Sequence, residues 1–322
     1  MLYDTVRGQK HVNSDTADVQ VSDTQLAFHA ADGFTVATGS GELNDTYGAP
    51  DNFVAWCWRA GGAPASDGVA MVDGVETTTA ALKTAASAII TPTRMSVNTQ
   101  AGFSIISYTG PGTGTAATLP HGLSKEPEFV ITKCLNNTYD WLVYHKSAGT
   151  THYTQLNHSN AFGNDPATYN GPHDANVIKY GGTAVVANGN YIVYAWHSVP
   201  GYSAFGSYTG NAGLFDAGQT DGPFVYTGFK PAWVMTKATF TQNPNNNYNS
   251  WTIVDNVRSS HNPSTLGQGL WANSSTKEGY RTGDTGNLTT ELHIDLLSNG
   301  FKVRNSSYET GQSGIYLSLI HI

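Results

Sequence analysis

The stretch SYTG occurs at residues 107–110 and again at 207–210, and each occurrence heads a longer duplicated series. HGLSKEPEFVITK (121–133) and YDWLVYHKS (139–147) follow the first, and VYTGFKPAWVMTK (225–237) and NSWTIVDNVRS (249–259) follow the second. Alignment sets Phe129 and Ile131 opposite Trp233 and Met235, Lys133 opposite Lys237, and Trp141 and Val143 opposite Trp251 and Ile253. Apolar residues at every second position mark strands, and Pro just ahead of each run suits a position where a missing N–H is tolerated. The chain is therefore built from copies of one small unit.

A third, partial copy lies at the N-terminus. LYDTVRG (2–8) aligns with IVDNVRS (253–259), which places Asp4 opposite Asp255 and Arg7 opposite Arg258. DGFTV (32–36) matches NGFKV (299–303), and NFVAWCW (52–58) matches NYIVYAW (190–196), the expected closing strand of the first complete copy. The chain thus opens in the middle of a module. At its other end LSLIHI resembles translated read-through sequence, which implies that the last five or six residues are foreign and that Ile315–Tyr316 starts the native strand.

Short apolar runs separated by Gly, Asn, Asp and Pro turns predict an all-β chain of tandem β-sandwich modules, jelly-roll or lectin-like. The expected units are the rear part of a truncated module at 1–58, a linker at 59–98, a complete module at 99–198 and a second module at 199–322. Within the linker, GVETTTAALKTAASAII reads either as an extended segment or as a short helix capped by Thr77 or Thr78. HSVPGYSAFG (197–206) is expected to be a stiff connector in an extended array.

Only 12% of residues are charged while 11% are aromatic, a balance suited to extracellular or virion β-proteins. The net charge of −8, with no basic patch, argues against nucleic acid as a partner. No apolar run reaches the ~18–20 residues of a spanning helix, so membrane insertion is not expected. MLYDTVRGQKH lacks the apolar core of a signal peptide. Cys57 and Cys134 both read as small strand hydrophobes in separate modules and not as a disulfide.

Candidate chemistry is sparse. GPGTGTAA (110–117) lacks the following helix that a phosphate cradle needs, and reads as a hairpin loop. His121, His145, His152, His158 and His173 crowd the first complete module, but none has the helical spacing of a metallohydrolase motif, and no metal or cofactor is expected. Glu126 and Glu128 resemble a glycosidase carboxylate pair, yet their counterparts are Lys230 and Ala232, so the pair is not a property of the module. No G-x-S-x-G, H-E-x-x-H or EF-hand sequence occurs, and a non-enzymatic role is expected. Sugar recognition uses aromatic faces beside hydrogen-bonding Asn and Asp. Tyr169 in PATYNGPHD and Trp271 in GLWANSS are the leading surface candidates, with Tyr139 and Tyr248, whereas Trp141 and Trp251 read as core.

The ordered series GFSIISYTG, HGLSKEPEFVITK, DWLVYHKS, NYIVYAWHSVPGYSAFGSYTG, DGPFVYTGFKPAWVMTK and LSNGFKVR resembles a tandem-repeat module of tailed-phage structural proteins, common in phages of marine bacteria. YDTVRG, DGFTV and FVAWCWRAGG resemble the end of the preceding module in the same proteins. The resemblance implies a virion component, a tail-fibre or adhesin segment that meets a bacterial surface polysaccharide or receptor and neighbouring virion proteins, with a homo-oligomer left open. A structural spacer or capsid decoration protein, and a secreted glycan-degrading enzyme on a lectin-like sandwich, are the alternatives.

Overall fold

In the computed structural model, residues 1–29, 33–37, 43, 52–112, 114, 116–211, 221–240, 249–258, 269–276, 278, 294–304 and 314–321 are described. The partial copy supplies β1 (Leu2–Asp4), β2 (Gly8–Val12), β3 (Val21–Ser22), β4 (Leu26–His29) and β5 (Gly33–Val36). Next come β6 (Val69–Val72), β7 (Val75–Thr78), α1 (Thr79–Ala85) and β8 (Pro92–Asn98). The first complete copy contains β9 (Phe103–Thr109), β10 (Ala117–Pro120), β11 (Phe129–Cys134), β12 (Leu142–His145), β13 (His152–Gln155), β14 (Gly163–Asn164), β15 (Val177–Tyr180) and β16 (Asn190–Trp196). The second contains β17 (Ser203–Gly210), β18 (Phe224–Tyr226), β19 (Trp233–Ala238), β20 (Thr252–Asp255), β21 (Leu270–Trp271), β22 (Ile294–Leu297), β23 (Gly300–Val303) and β24 (Gly314–His321).

The chain is all-β, of sandwich type, and the repeat holds in three dimensions. Strands run β13-β12-β11-β16-β9 in the large sheet of the first complete copy and β21-β20-β19-β24-β17 in that of the second. Register agrees residue for residue: Phe129 faces His145 and Trp196 as Trp233 faces Asp255 and His321. The backbone of 314–321 pairs along its whole length in the closing position that β16 holds in the other copy. Smaller sheets, β10-β15 and β18-β23-β22, form the second layers.

Residues 59–98 are not a linker. β6, β7 and β8 extend the sheet of the first complete copy to nine strands, with β8 antiparallel to β9 and parallel to β6. The turn between β6 and β7 is Asp73-Gly74 at φ +52° and +83°, the left-handed pair that a two-residue hairpin of matching twist requires. The helical reading of the following residues holds as α1, whose Ala81 N–H donates to Thr78 Oγ1 at 3.1 Å. NFVAWCW forms no strand at 52–58, and neither the exposed Cys57 nor the buried Cys134 is in a disulfide. Trp56 and Trp58 lay their rings against Trp233 at 6.3 and 5.3 Å.

Strand alternation explains why all six residues of β11 and of β19 are buried. Val130 and Cys134 point into a core shared with β10, β15 and α1. Val234 and Ala238 enter the equivalent core beneath β22 and β23. Phe129, Ile131, Trp233 and Met235 point the other way, into a third core that also takes Val6, Val12, Tyr194, Trp251 and Ile253. That third core joins all three copies, so they do not form the extended array that the connector suggested.

Candidate functional site

The contacts between copies are the most strongly repeated polar feature of the molecule. Lys133 and Lys237 share the strand parity of Phe129 and Trp233, which drives both onto the inter-copy face, and both are 0% exposed. A buried ammonium needs acceptors, and one backbone carbonyl of the preceding copy and one of its own copy supply them. Lys133 Nζ donates to Ala17 O at 2.9 Å and to Tyr139 O at 2.7 Å. Lys237 Nζ donates to Ser159 O at 3.0 Å and to Asn249 O. Burial pulls Lys133 down to about 8, against the opposing pull of Cys134, Asp140 and Asp18.

A tryptophan completes each clamp. Trp141 Nε1 donates to Asn13 O at 3.0 Å and Thr16 O at 3.1 Å, and Trp251 Nε1 donates to Gln155 O at 3.0 Å. Strand register makes Asn13 the counterpart of Gln155, and Ala17 that of Ser159. The same Lys and Trp therefore grip the same two carbonyls of the copy before. Each Trp is held by its own copy: its backbone N–H donates to Asn157 Oδ1 at 3.1 Å or to Asn273 Oδ1 at 2.9 Å.

The aligned acidic residues repeat a second device. Asp4 Oδ1 accepts from the N–H groups of Val6 and Arg7 at 3.0 and 2.8 Å, and Oδ2 accepts from Arg7 Nε at 2.5 Å. Asp255 does the same with Val257, Arg258 and Arg258 Nε at 3.1, 3.0 and 2.7 Å. In the first complete copy His145 takes this place, and its Nδ1 accepts from Ser147 N–H at 3.1 Å. Asp4 then accepts from Tyr194 Oη at 2.7 Å, and Asp255 from Trp56 Nε1 at 3.2 Å. Trp56 is the aligned counterpart of Tyr194, so the partial copy touches the first complete copy as the second touches the partial one. The three copies close around their shared core. Burial raises the Asp255 carboxyl, but the Arg258 N–H and guanidinium and the Trp56 N–H hold it below the usual range.

Of the four proposed aromatic site residues, the three that are described, Tyr139, Tyr169 and Trp271, are not brought together. Tyr169 is fully buried; it bridges Tyr180, and its ring stacks on Tyr180 at 5.5 Å. Trp271 is 4% exposed on β21, paired with Thr252. Their loop-like neighbours concealed that both rings point inward, so neither is a surface platform. Tyr139 is exposed, and Tyr248 lies outside the described residues.

Glu126 and Glu128 line a cleft of about 430 Å³ at the connector, with Lys146, His197 and Ser198. Glu126 pairs with Lys146 at 3.0 Å, and Glu128 accepts from Ser198 N–H at 2.6 Å, fixing the connector. The histidines are dispersed. His121 accepts from Leu123 N–H at 3.1 Å, and its Nε2 lies 3.0 Å from Asp174 O. His173 is wedged 4.1 Å from the Tyr144 ring. Burial pushes these two down to about 4 and about 3, His121 adding to the effect on His173. His158 lies 3.1 Å from Asp140 at the surface. Among the described residues no three His, Cys, Asp or Glu gather as metal ligands, and no helix is long and apolar enough to cross a membrane.

A family model described as Domain of unknown function (DUF7483) matches residues 1–321. The chain belongs to this family. The match runs through all three copies and not a single module. No curated protein and no solved structure matches the chain.

Sequence reasoning missed the clamp as a site, although its signal was present. An aligned Lys within an apolar strand, followed by an aligned Trp, is a buried cation in search of carbonyls.

Proposed function

We propose that this chain is a non-enzymatic structural component of a tailed-phage virion, a segment of a tail fibre or comparable appendage. The observation that carries the reading is the repeated clamp, in which Lys133 with Trp141 and Lys237 with Trp251 bind successive copies through equivalent carbonyls. Side chains with chemical potential are spent on holding structure: Glu128 on the connector, His145 on a turn, Asp4 and Asp255 on Arg caps. The resemblance to phage repeat modules supplies the setting. Fold alone does not give function, so the virion assignment rests on that resemblance and on the way the residues are used.

Within a virion, such a segment serves attachment to a bacterial surface polysaccharide or receptor. Tyr139, Phe224 and Tyr226 are exposed rings that offer faces to sugars. The burial of Tyr169 and Trp271 favours the second reading, a structural spacer or capsid decoration protein that binds only other virion proteins. Immunogold labelling of intact particles with an antibody to residues 99–316 separates the two. Gold on fibres or the tail tip supports attachment; gold on the capsid supports decoration; particles without gold contradict a virion role.

A further inference from the structure

The end of the sandwich beside the connector gathers polar atoms that nothing among the described residues satisfies. Across the large sheet of the first complete copy, Ser104 faces Ala195, Ala195 faces Val130 and Val130 faces Tyr144. Two residues along each strand, on the same face, the next row holds Gly102, His197 and Glu128. His197 N–H donates to Gly102 O at 3.0 Å and Glu128 N–H to Trp196 O at 2.7 Å, so this row continues the ladder. Ser104 Oγ, Tyr144 Oη and His197 Nε2 are buried there without a hydrogen-bond partner. So is Nε2 of His173, whose ring lies 4.1 Å from that of Tyr144. An unpaired buried polar atom costs free energy, so four at one end of a core mark a place where a polar group from outside is stabilising.

His197 belongs both to this group and to the wall of the cleft of about 430 Å³. It is 3% exposed, and its Nδ1 lies 2.9 Å from Ser198 O. A carbonyl only accepts, so Nδ1 carries the proton and Nε2 presents a lone pair. Gly102 at φ +63° lets the ring sit in this way, because a Cβ there would stand 2.9 Å from Nδ1. His173 has the opposite tautomer: its Nδ1 accepts from Lys179 N–H at 3.3 Å, which leaves the proton on Nε2. The group therefore asks for a donor at His197 and an acceptor at His173. Around the cleft Lys125 and Lys146 supply ammonium groups and Glu126 and Glu128 carboxylates, so neither an anion nor a cation gains overall. A hydroxyl donates and accepts at one atom and suits all of these walls. Pro200 and Ala204 add a small apolar side. The volume lies within the roughly 300–1,000 Å³ of small-molecule sites.

We propose that the connector cleft is a saccharide-binding site that takes one neutral hexose unit of a polysaccharide, with a sugar hydroxyl donating to His197 Nε2. The proposal rests on the attachment reading above and gives it a place on the molecule. Lys146 and Glu126, paired at 3.0 Å, meet further hydroxyls as donor and acceptor. Lys125 and Pro200 are exposed at the mouth, so a unit can enter while still joined to its chain. No aromatic ring stands among the described residues of the lining, so the affinity for one unit is on the order of 1 mM. Repeated sugars on a surface raise it through avidity.

The test titrates the full chain 1–322, carrying isotope-labelled histidine, with glucose, galactose and mannose, each to about 50 mM, well above the dissociation constant expected. Long-range proton–nitrogen correlation spectra read the ring nitrogens. A saturable upfield shift of His197 Nε2 with at least one sugar is expected, while His158 at the surface stays unmoved. Glu126→Gln should weaken this binding about tenfold, as the loss of one hydrogen bond to a charged acceptor does. Lys125→Trp, at an exposed side chain, should abolish it by filling the mouth. No shift at His197 with any of the sugars overturns the proposal, and the immunogold experiment alone then decides the attachment reading. Sugar binding that persists unchanged in Lys125→Trp overturns the cleft as well. Its loss in Tyr139→Ala would then keep attachment and move the sugar to an exposed ring.

Discussion

Replacing Trp251 by Phe isolates the inter-copy bond from the core that surrounds it. Trp251 is 2% exposed, and its Nε1 donates to Gln155 O at 3.0 Å across the boundary between copies. Phe keeps an aromatic ring but leaves a buried carbonyl unpaired, at a cost of about 1–3 kcal/mol. The smaller ring gives up roughly another 1 kcal/mol of apolar contact. A total near 3 kcal/mol raises the opening equilibrium of the gripped loop roughly 150-fold. Amide hydrogen exchange followed by mass spectrometry reads this directly. Acceleration is expected at residues 155–160 of the preceding copy, with little change at 13–17. Trp141→Phe should give the reverse pattern, because its N–H is donated to Asn13 and Thr16. If Trp251→Phe accelerates exchange only in its own copy and leaves 155–160 protected, the clamp does not join the copies and the reasoning fails.

Three further outcomes are expected. His121 and His173 are held neutral by burial, with folded values of about 4 and about 3 below the ordinary 6.5. The native chain then binds fewer protons than the unfolded one, so their stabilisation is full above about 6.5 and declines as pH falls toward 4, by up to about 3 kcal/mol for each ring. Melting temperatures between pH 7 and 4 should show this slope, and His173→Asn should flatten it; an unchanged slope refutes the assignment. Asp255→Asn weakens a cap that accepts from two backbone N–H groups, Arg258 Nε and Trp56 Nε1, and should cost about 2 kcal/mol in urea unfolding. A change below a few tenths would show that the cap is dispensable. Thr78→Ala removes the side-chain cap of α1 and should cost about 1 kcal/mol by the same measurement, whereas Thr77→Ala should cost little.

Much of the fold was legible because the chain states it more than once. Phe129 and Trp233, and Asp4 and Asp255, were aligned from the sequence, and each pair takes equivalent places in the structure, since residues with the same parity and neighbours meet the same partners. The helix at 79–85 was legible as one of two readings, from its Ala content and its Thr cap. Residues 59–72 and 92–98 misled because a Gly/Ala/Pro-rich opening hides two strands whose partners, β8 for β6 and β9 for β8, are fixed only by tertiary pairing. Tyr169 and Trp271 misled for a related reason. Asn, Gly and Pro nearby report a turn in the backbone but not the direction of one ring. Lys133 and Lys237 defeated the habit of placing lysine in water, and backbone carbonyls of their own and of the preceding copy explain their burial.

Small-angle X-ray scattering of residues 1–322 tests most directly whether the three copies close on one another through their clamps. A closed arrangement predicts a radius of gyration near the value for a compact chain of this length, about 20 Å. In that account, the double variant Trp141→Ala, Trp251→Ala expands the particle while each copy keeps its β-sheet circular dichroism. A wild-type radius well above about 20 Å, with a profile of separate modules strung along a connector, would contradict it.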